Sequence, residues 1–420
     1  MEIVVVIAVL AALVFLVHAN LTEKTARRVL PVLLIAFALR LVVHLTLERG
    51  AAIGYGGDNV WYELKAIDIA EQWRREGVHG GLTPGDSGSL SAVGVACQVF
   101  AFIVLICGGP APLACTAVVA LIACMLCVVM YRFALLVGAD DRGAFKLLVV
   151  TAFMPGFLLH TSDTYKDGFN AFLVVASLGI GVSLVRRFDL FRLLLLGPML
   201  WLLWYVRPYM VFMCVLPLLV GVTGLKRMLS LRTLFLATAG LTAMLFVSGA
   251  VLNSAPAESM LAQLDQGQSA GARRSNSGSG SGVVFEDGGD PWSALGGKLL
   301  YTLFSPFPWT DGSTSLQLGK IDSLIWYVVL VYAVSGARLV WRRRPSTLLI
   351  LLLFIVPGTI AYATTMANIG LIFRQRMPIV MAVSLLAAVA WTRRPRDTGP
   401  SARPGRPETT GGRPSPVPRT

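Results

Sequence analysis

The sequence predicts an all-α, polytopic transmembrane protein, and three observations carry that prediction. Hydrophobic residues make up 55% of the 420-residue chain and charged residues only 14%, against roughly a quarter charged in soluble domains, and mean hydropathy is +0.69. Apolar runs of about 20 residues, long enough to span ~30 Å of hydrocarbon, recur along the chain. Basic residues gather in the short connections between those runs, which is the positive-inside pattern. The excess of 36 Lys+Arg over 23 Asp+Glu therefore reports topology and gives no support to a nucleic-acid partner.

The first run, residues 1–18, opens Met1-Glu2-Ile3 without the basic n-region of a signal peptide and reads as a retained span. Further crossings are expected at 29–48, 112–136, 145–161, 169–185, 190–206, 209–225, 233–252, 321–341, 346–366 and 377–392. The basic connections are Lys24/Arg27/Arg28, Arg142/Lys146, Arg186/Arg187/Arg192, Lys226/Arg227/Arg232, Arg342/Arg343/Arg344 and Arg393/Arg394/Arg396. Placing all of them in the cytoplasm gives a consistent alternation with the N-terminus outside. One apolar run, Leu90 to Cys107, would turn every later basic loop outward if it crossed. It is therefore expected to be a re-entrant or peripheral helix, ended by Gly108-Gly109-Pro110, a backbone tolerated at membrane depth where protein or water surrounds it. Counting it, the chain holds about 11–12 membrane helices. The membrane domain covers 1–392. The Pro/Gly/Arg/Thr-rich segment 393–420 is expected to be a disordered cytoplasmic tail. No internal repeat is found.

Six cysteines (Cys97, Cys107, Cys115, Cys124, Cys127, Cys214) lie within apolar segments. Cys124-x-x-Cys127 has neither a second pair nor a neighbouring His, so small buried side chains explain them better than a zinc site.

Several segments share the extracytoplasmic side. They are a first loop at 49–88, the hairpin Thr161–Gly168, the turn Arg207-Pro208, a long loop at 253–320, and the turn at 367–376. The long loop contains the flexible run 273–282, RRSNSGSGSG, and then Leu299–Trp309, whose aromatics suit a membrane interface. In the first loop, GGDNVWYELKAIDIAEQWRREG (residues 56–77) has apolar residues at helical spacing and one polar face. It is too short and too charged to span, so it should lie along the outer leaflet surface.

Asp58 at its head has two readings, an N-cap accepting backbone N–H bonds or a functional carboxylate. The hairpin adds Ser162, Asp163, Thr164, Tyr165, Lys166 and Asp167 on the same side. Thr164-x-x-Asp167 also matches a capping box, but the turn carries more polar groups than a cap needs. Arg207, Arg374 and Arg376 face outward against the positive-inside trend. Each alone is consistent with snorkelling to headgroups; together, beside outward acids, they suit an anion such as phosphate.

Gly57-Asp58-x-x-x-Tyr62-x-x-x-Ala66, Pro155 followed by the acid-bearing turn 162–167, and Arg374-Gln375-Arg376-Met377-Pro378 occur in an order and sidedness that resembles the GT-C superfamily of polytopic glycosyltransferases. The likeness is to family 39 mannosyltransferases and aminoarabinose transferases, and it covers roughly residues 29–392. Many members carry a second acid after the first Asp, where Asn59 stands here. A further span precedes the usual first one, and no sizeable C-terminal periplasmic domain follows.

The resemblance implies a bacterial plasma-membrane enzyme that moves a sugar from a polyprenyl-phosphate donor to an extracytoplasmic glycan or glycolipid acceptor, with inversion. Asp58 would be the base, and Arg374 and Arg376 would hold the phosphate. Asp163, Lys166 and Asp167 would shape the sugar site, with Tyr62 and Arg207 lining it. A divalent cation bridging phosphate and carboxylates is compatible with this scheme, although no ligand spacing calls for one. Two rivals are an O-antigen polymerase or ligase type enzyme, favoured by the 253–320 loop, and a non-enzymatic flippase or transporter of lipid-linked sugar. Transporters usually place ionisable groups at mid-membrane within repeats.

Overall fold

The computed structural model describes residues 1–50, 58–78, 94–223, 290, 292–311, 314–365 and 369–392. The expected span at 233–252, the run 273–282, most of the 49–57 and 79–93 stretches and the 393–420 tail lie outside the described residues. Every regular element among the described residues is an α-helix.

The amino-terminal part runs α1 (Glu2–Asn20), α2 (Glu23–Gly50), α3 (Asp58–Glu76), α4 (Gly94–Cys107) and α5 (Pro112–Val137). It continues with α6 (Asp141–Phe153), α7 (Pro155–Leu159), α8 (Asp167–Arg186), α9 (Leu190–Trp204) and α10 (Pro208–Thr223). The carboxy-terminal part comprises α11 (Leu295–Phe304), α12 (Thr314–Arg343), α13 (Pro345–Thr364), α14 (Ile369–Gln375) and α15 (Met377–Ala390). Local chemistry sets many of these boundaries. Asp140 caps α6 by accepting from Gly143 N at 2.7 Å, and Asp189 accepts from Phe191 N at 3.0 Å at the head of α9. Pro112 and Pro345 occupy the first turns of their helices, where the missing N–H is not needed. Gly138, at φ 122°, ends α5 in a conformation that L side chains rarely adopt.

Among the described residues, six helices are long and apolar enough to cross a membrane: Glu2–Asn20, Glu23–Thr46, Pro112–Val137, Asp167–Arg186, Gly319–Arg343 and Pro345–Thr364. α14 and α15, bent by 55°, make a seventh when counted as one broken span. The chain is an integral membrane protein of all-α, polytopic architecture. The expected 11–12 crossings are more than this set among the described residues. The run 145–161 is broken at Met154-Pro155 into α6 and α7, and 190–206 and 209–225 form the shorter apolar helices α9 and α10. An apolar run marks burial away from water; it does not fix the length of unbroken helix, which at 1.5 Å per residue gives α9 only about 22 Å. The same arithmetic gives α4 about 21 Å, and it lies against α3 as a short apolar helix.

α5 is the centre of the bundle and packs against α1, α2, α6, α8 and α15. Its buried positions include Ala114, Cys115, Thr116, Ala117, Ala120, Ala123, Cys124 and Cys127. Small residues let neighbouring helices approach closely, which is how helices associate where lipid offers no hydrophobic drive. The six cysteines are free, and all but Cys107 are buried. At the other side, α12 and α15 meet at Gly336, where an added Cβ would lie 1.8 Å from the Leu386 carbonyl oxygen. α1 is the outermost span, apolar all round and buried only at Val9, Leu13 and Val17.

Candidate functional site

The head of α3, the hairpin after α7, the α9–α10 turn and the end of α14 meet at one end of the bundle. α8 begins at Asp167 and buries that carboxylate, leaving its side chain 1% exposed. Two guanidinium groups hold it: Arg207 donates from Nη2 to Oδ1 at 2.9 Å, and Arg374 donates from Nε to Oδ2 at 3.0 Å. Arg374 then reaches outward with Nη2, 2.9 Å from Asp58 Oδ2. Its guanidinium also lies over the Tyr165 ring, 4.6 Å from the centroid. Arg207 is steadied by donating from Nη1 to Tyr209 Oη at 2.8 Å. Along this chain, exposure rises from Asp167 through Arg374, at 17%, to Asp58, at 51%. Asp58 is the solvent-facing end of a charged chain rooted in the protein interior.

Tyr62 and Lys166 sit within electrostatic reach of Asp58, Asp167, Arg207 and Arg374. Burial raises the Tyr62 phenol well above its ordinary value, and the Asp58 carboxylate raises it further, so Tyr62 stays neutral beside the charged groups. Burial, with Arg207 acting in the same direction, brings Lys166 down to about 7 against the opposing pull of Asp167 and Asp58.

Asp163 forms a second patch. Its Oδ2 accepts from Asn59 Nδ2 at 2.8 Å, its Oδ1 accepts from Thr164 N at 2.7 Å, and His44 Nδ1 stands 3.7 Å away. The Thr164 hydroxyl donates to Glu63 Oε1 at 2.8 Å. Asn59 thus clamps an acid supplied by the hairpin. The alternative reading of Thr164-x-x-Asp167 as a capping box does not describe the start of α8, where Lys166 is the N-cap residue and makes no side-chain capping bond.

Seven of the eight expected site residues, Asp58, Tyr62, Asp163, Lys166, Asp167, Arg207 and Arg374, lie around this end of the bundle. Arg376 does not join the acids. It is 3% exposed, and its Nη1 donates to the carbonyls of Thr302 and Leu303 at 3.0 and 3.2 Å, tying down the last turn of α11. The α14–α15 bend explains the separation, because Arg374 is in the last turn of α14 whereas Arg376 is the N-cap residue of α15. Sequence spacing reads sidedness here but not the direction of either side chain.

Sequence reasoning passed over Arg40, His44, Glu63 and Asp322, all of which make contacts on this side of the molecule. For Arg40, His44 and Asp322 a signal was present, since each is an ionisable residue inside an expected span, a placement that is costly and usually has a purpose. Among the described residues no three His, Cys, Asp or Glu side chains converge as a metal-ligand set. Asp58 and Asp167 are both engaged by Arg374, so this arrangement does not present a pair of acids to a divalent cation.

Fold and site together define an all-α integral membrane protein with an arginine–carboxylate chain at one end of its helices. Comparison with models of protein families, with curated proteins and with solved structures returned no match.

Proposed function

We propose that this protein is an inverting membrane glycosyltransferase that moves a sugar from a polyprenyl-phosphate donor to an acceptor hydroxyl in cell-surface glycan or glycolipid assembly. The observation that carries this is the placement of Arg374 between the exposed Asp58 and the buried Asp167. A base and a phosphate-binding cation need to be neighbours, because the proton leaves and the phosphate charge builds around one anomeric carbon. Asp58 takes the proton of the acceptor hydroxyl as its oxygen attacks that carbon. The bond from the carbon to the phosphate oxygen breaks, and its electron pair stays on the phosphate beside Arg374 and Arg207. The products are the glycosylated acceptor and polyprenyl phosphate.

The basic connections at 142–146, 186–192 and 342–344 support an extracytoplasmic site with the tail in the cytoplasm; a bacterial plasma membrane is what the family resemblance implies. The purified protein in liposomes should release polyprenyl phosphate from a labelled polyprenyl-monophosphate sugar in the presence of acceptor. Translocation of the intact lipid-linked sugar without cleavage would favour the transporter instead. Transfer of preassembled oligosaccharide from a pyrophosphate carrier alone would favour the polymerase or ligase type.

A further inference from the structure

The break between α6 and α7 lies at the base of the hairpin that carries Asp163, Lys166 and Asp167. Met154 takes an extended ψ of 119° and Pro155 has no N–H, so the helix cannot continue through this point. In an unbroken helix Gly156 N–H would bond the carbonyl of Ala152. Here each half of that bond has a replacement from another element. Gly156 N donates to Asp322 Oδ1 of α12 at 2.7 Å, and the Ala152 carbonyl accepts from Arg40 Nη2 of α2 at 3.3 Å.

Both side chains are buried, Arg40 at 0% and Asp322 at 4% exposed. Each also reaches into the site's supports. Arg40 Nε donates to Thr161 Oγ1 at 2.8 Å, in the hairpin itself, and its guanidinium lies 5.2 Å from the centre of the Phe157 ring. Asp322 lies in electrostatic range of Arg376. Gly156 is hemmed in: an added Cβ would come 2.5 Å from the Phe373 ring and 3.0 Å from Asp322 Oδ1. Phe373 immediately precedes Arg374, and its ring contacts His160, which in turn contacts Tyr165 beneath Arg374.

We propose that Arg40 and Asp322 are paired positioning residues: each completes one half of the backbone hydrogen bond lost at the 154–156 break. Together they hold the acid hairpin and the Phe373–Arg374 turn in register. Two long helices thereby fix a non-helical joint whose Ala152 and Gly156 are both buried. Neither side chain touches the reacting groups. In its bearing on catalysis, though not on geometry, the inference rests on the transfer reading above.

Hydrogen–deuterium exchange of the segment 154–167 in purified protein tests the geometry without using activity. Asp322→Ala and Arg40→Met each remove a partner of a buried backbone group, so exchange there should quicken by about tenfold or more while α1 and α5 stay protected. Asp322→Asn keeps an acceptor and Arg40→Gln keeps a donor, and both should stay near wild type. The double variant should fall short of the product of the single effects, because both act on one joint. Under the transfer reading, Ala and Met variants should lose about 10² in kcat, the scale of a misplaced reacting group, with a smaller change in KM. Activity should return in the Asn and Gln variants.

Unchanged exchange at 154–167 in Ala and Met variants, or loosening spread evenly over all helices, would overturn the proposal. Should Asp322→Ala not fold, Arg40→Met beside Arg40→Gln makes the same comparison from the other half of the bond. Altered exchange in a protein whose wild type transfers no sugar would leave the joint standing and remove the transfer reading alone.

Discussion

Arg374 and Arg376 flank one residue, Gln375, at the α14–α15 bend, yet they meet opposite chemistry. Arg374 faces two carboxylates and an aromatic ring at the mouth of the site, and part of it remains open to solvent. Arg376 faces backbone carbonyls at the end of α11, where Trp326 Nε1 also donates to Leu303 O at 2.7 Å and Tyr327 Oη to Phe304 O at 2.5 Å. Those carbonyls are among the last four of a helix, which have no partner within it. The difference shows that an arginine pair in a motif is two separate questions. A guanidinium between acids can trade one of them for a phosphate; a guanidinium that closes a helix end cannot leave without exposing buried carbonyls.

The sharpest way to break this comparison is at the acid that Arg374 presents. Asp58→Asn keeps size and most hydrogen bonding but removes proton acceptance. Transfer should fall by about 10²–10⁴, with expression and folding retained, since Asn serves as well as Asp at a helix start. Losing a competing carboxylate should leave binding of polyprenyl phosphate to Arg374 at least as tight as in wild type. Wild-type turnover in this variant would reduce Asp58 to a helix cap and move the catalytic assignment to the hairpin acids.

The two arginines should then separate cleanly. Arg374→Ala should lower transfer by about 10², the scale of losing one preorganised donor to a developing oxyanion. Arg374→Lys, which keeps the charge but not the planar fork, should lose about tenfold. Arg376→Ala should instead act on stability, at about 1–3 kcal/mol for the carbonyls left unpaired, with activity per folded molecule within about threefold. Thermal unfolding measured beside specific activity reads both axes. A matching activity loss in the two Ala variants, at equal folding, would return Arg376 to the phosphate.

How much of this was legible in the sequence depends on what each residue's position encodes. Hydrophobic run length and basic connections gave the helical membrane architecture and brought the Asp58, Asp167, Arg207 and Arg374 turns to one end. Cooperative burial of polar groups was not legible, because it depends on which helices become neighbours. Arg40 and Asp322 are 282 positions apart, and only the packing around the break at Pro155 puts them on either side of one lost hydrogen bond. Unbroken helix length was not legible either: the apolar run 145–161 is interrupted at Met154-Pro155, and α9 is a short apolar helix of 15 residues with Pro198 inside it.

The smallest expected effect concerns Lys166, a buried cation of the site brought down to about 7. Burial and Arg207 depress its folded-state value to about 7, from an ordinary 10.5, while Asp167 and Asp58 oppose the shift and Arg374 adds to it. Between those two values the unfolded chain binds more protons than the folded one, so stability rises with pH across that window. Below about 7 both states are protonated, and the cost of holding the cation in this site is fully present. Lys166→Met has no such proton to lose. Wild type should therefore gain thermal stability relative to Lys166→Met as pH is raised from 7 to about 10, by on the order of a few degrees. A difference between the two proteins that stays constant over that range would mean that Lys166 keeps an ordinary charge. The site mouth would then carry three permanent cations against two acids, a balance that favours phosphate binding at every working pH. A difference that closes with rising pH would instead make Lys166 the group through which alkaline conditions weaken the hold on phosphate while Arg374 stays charged.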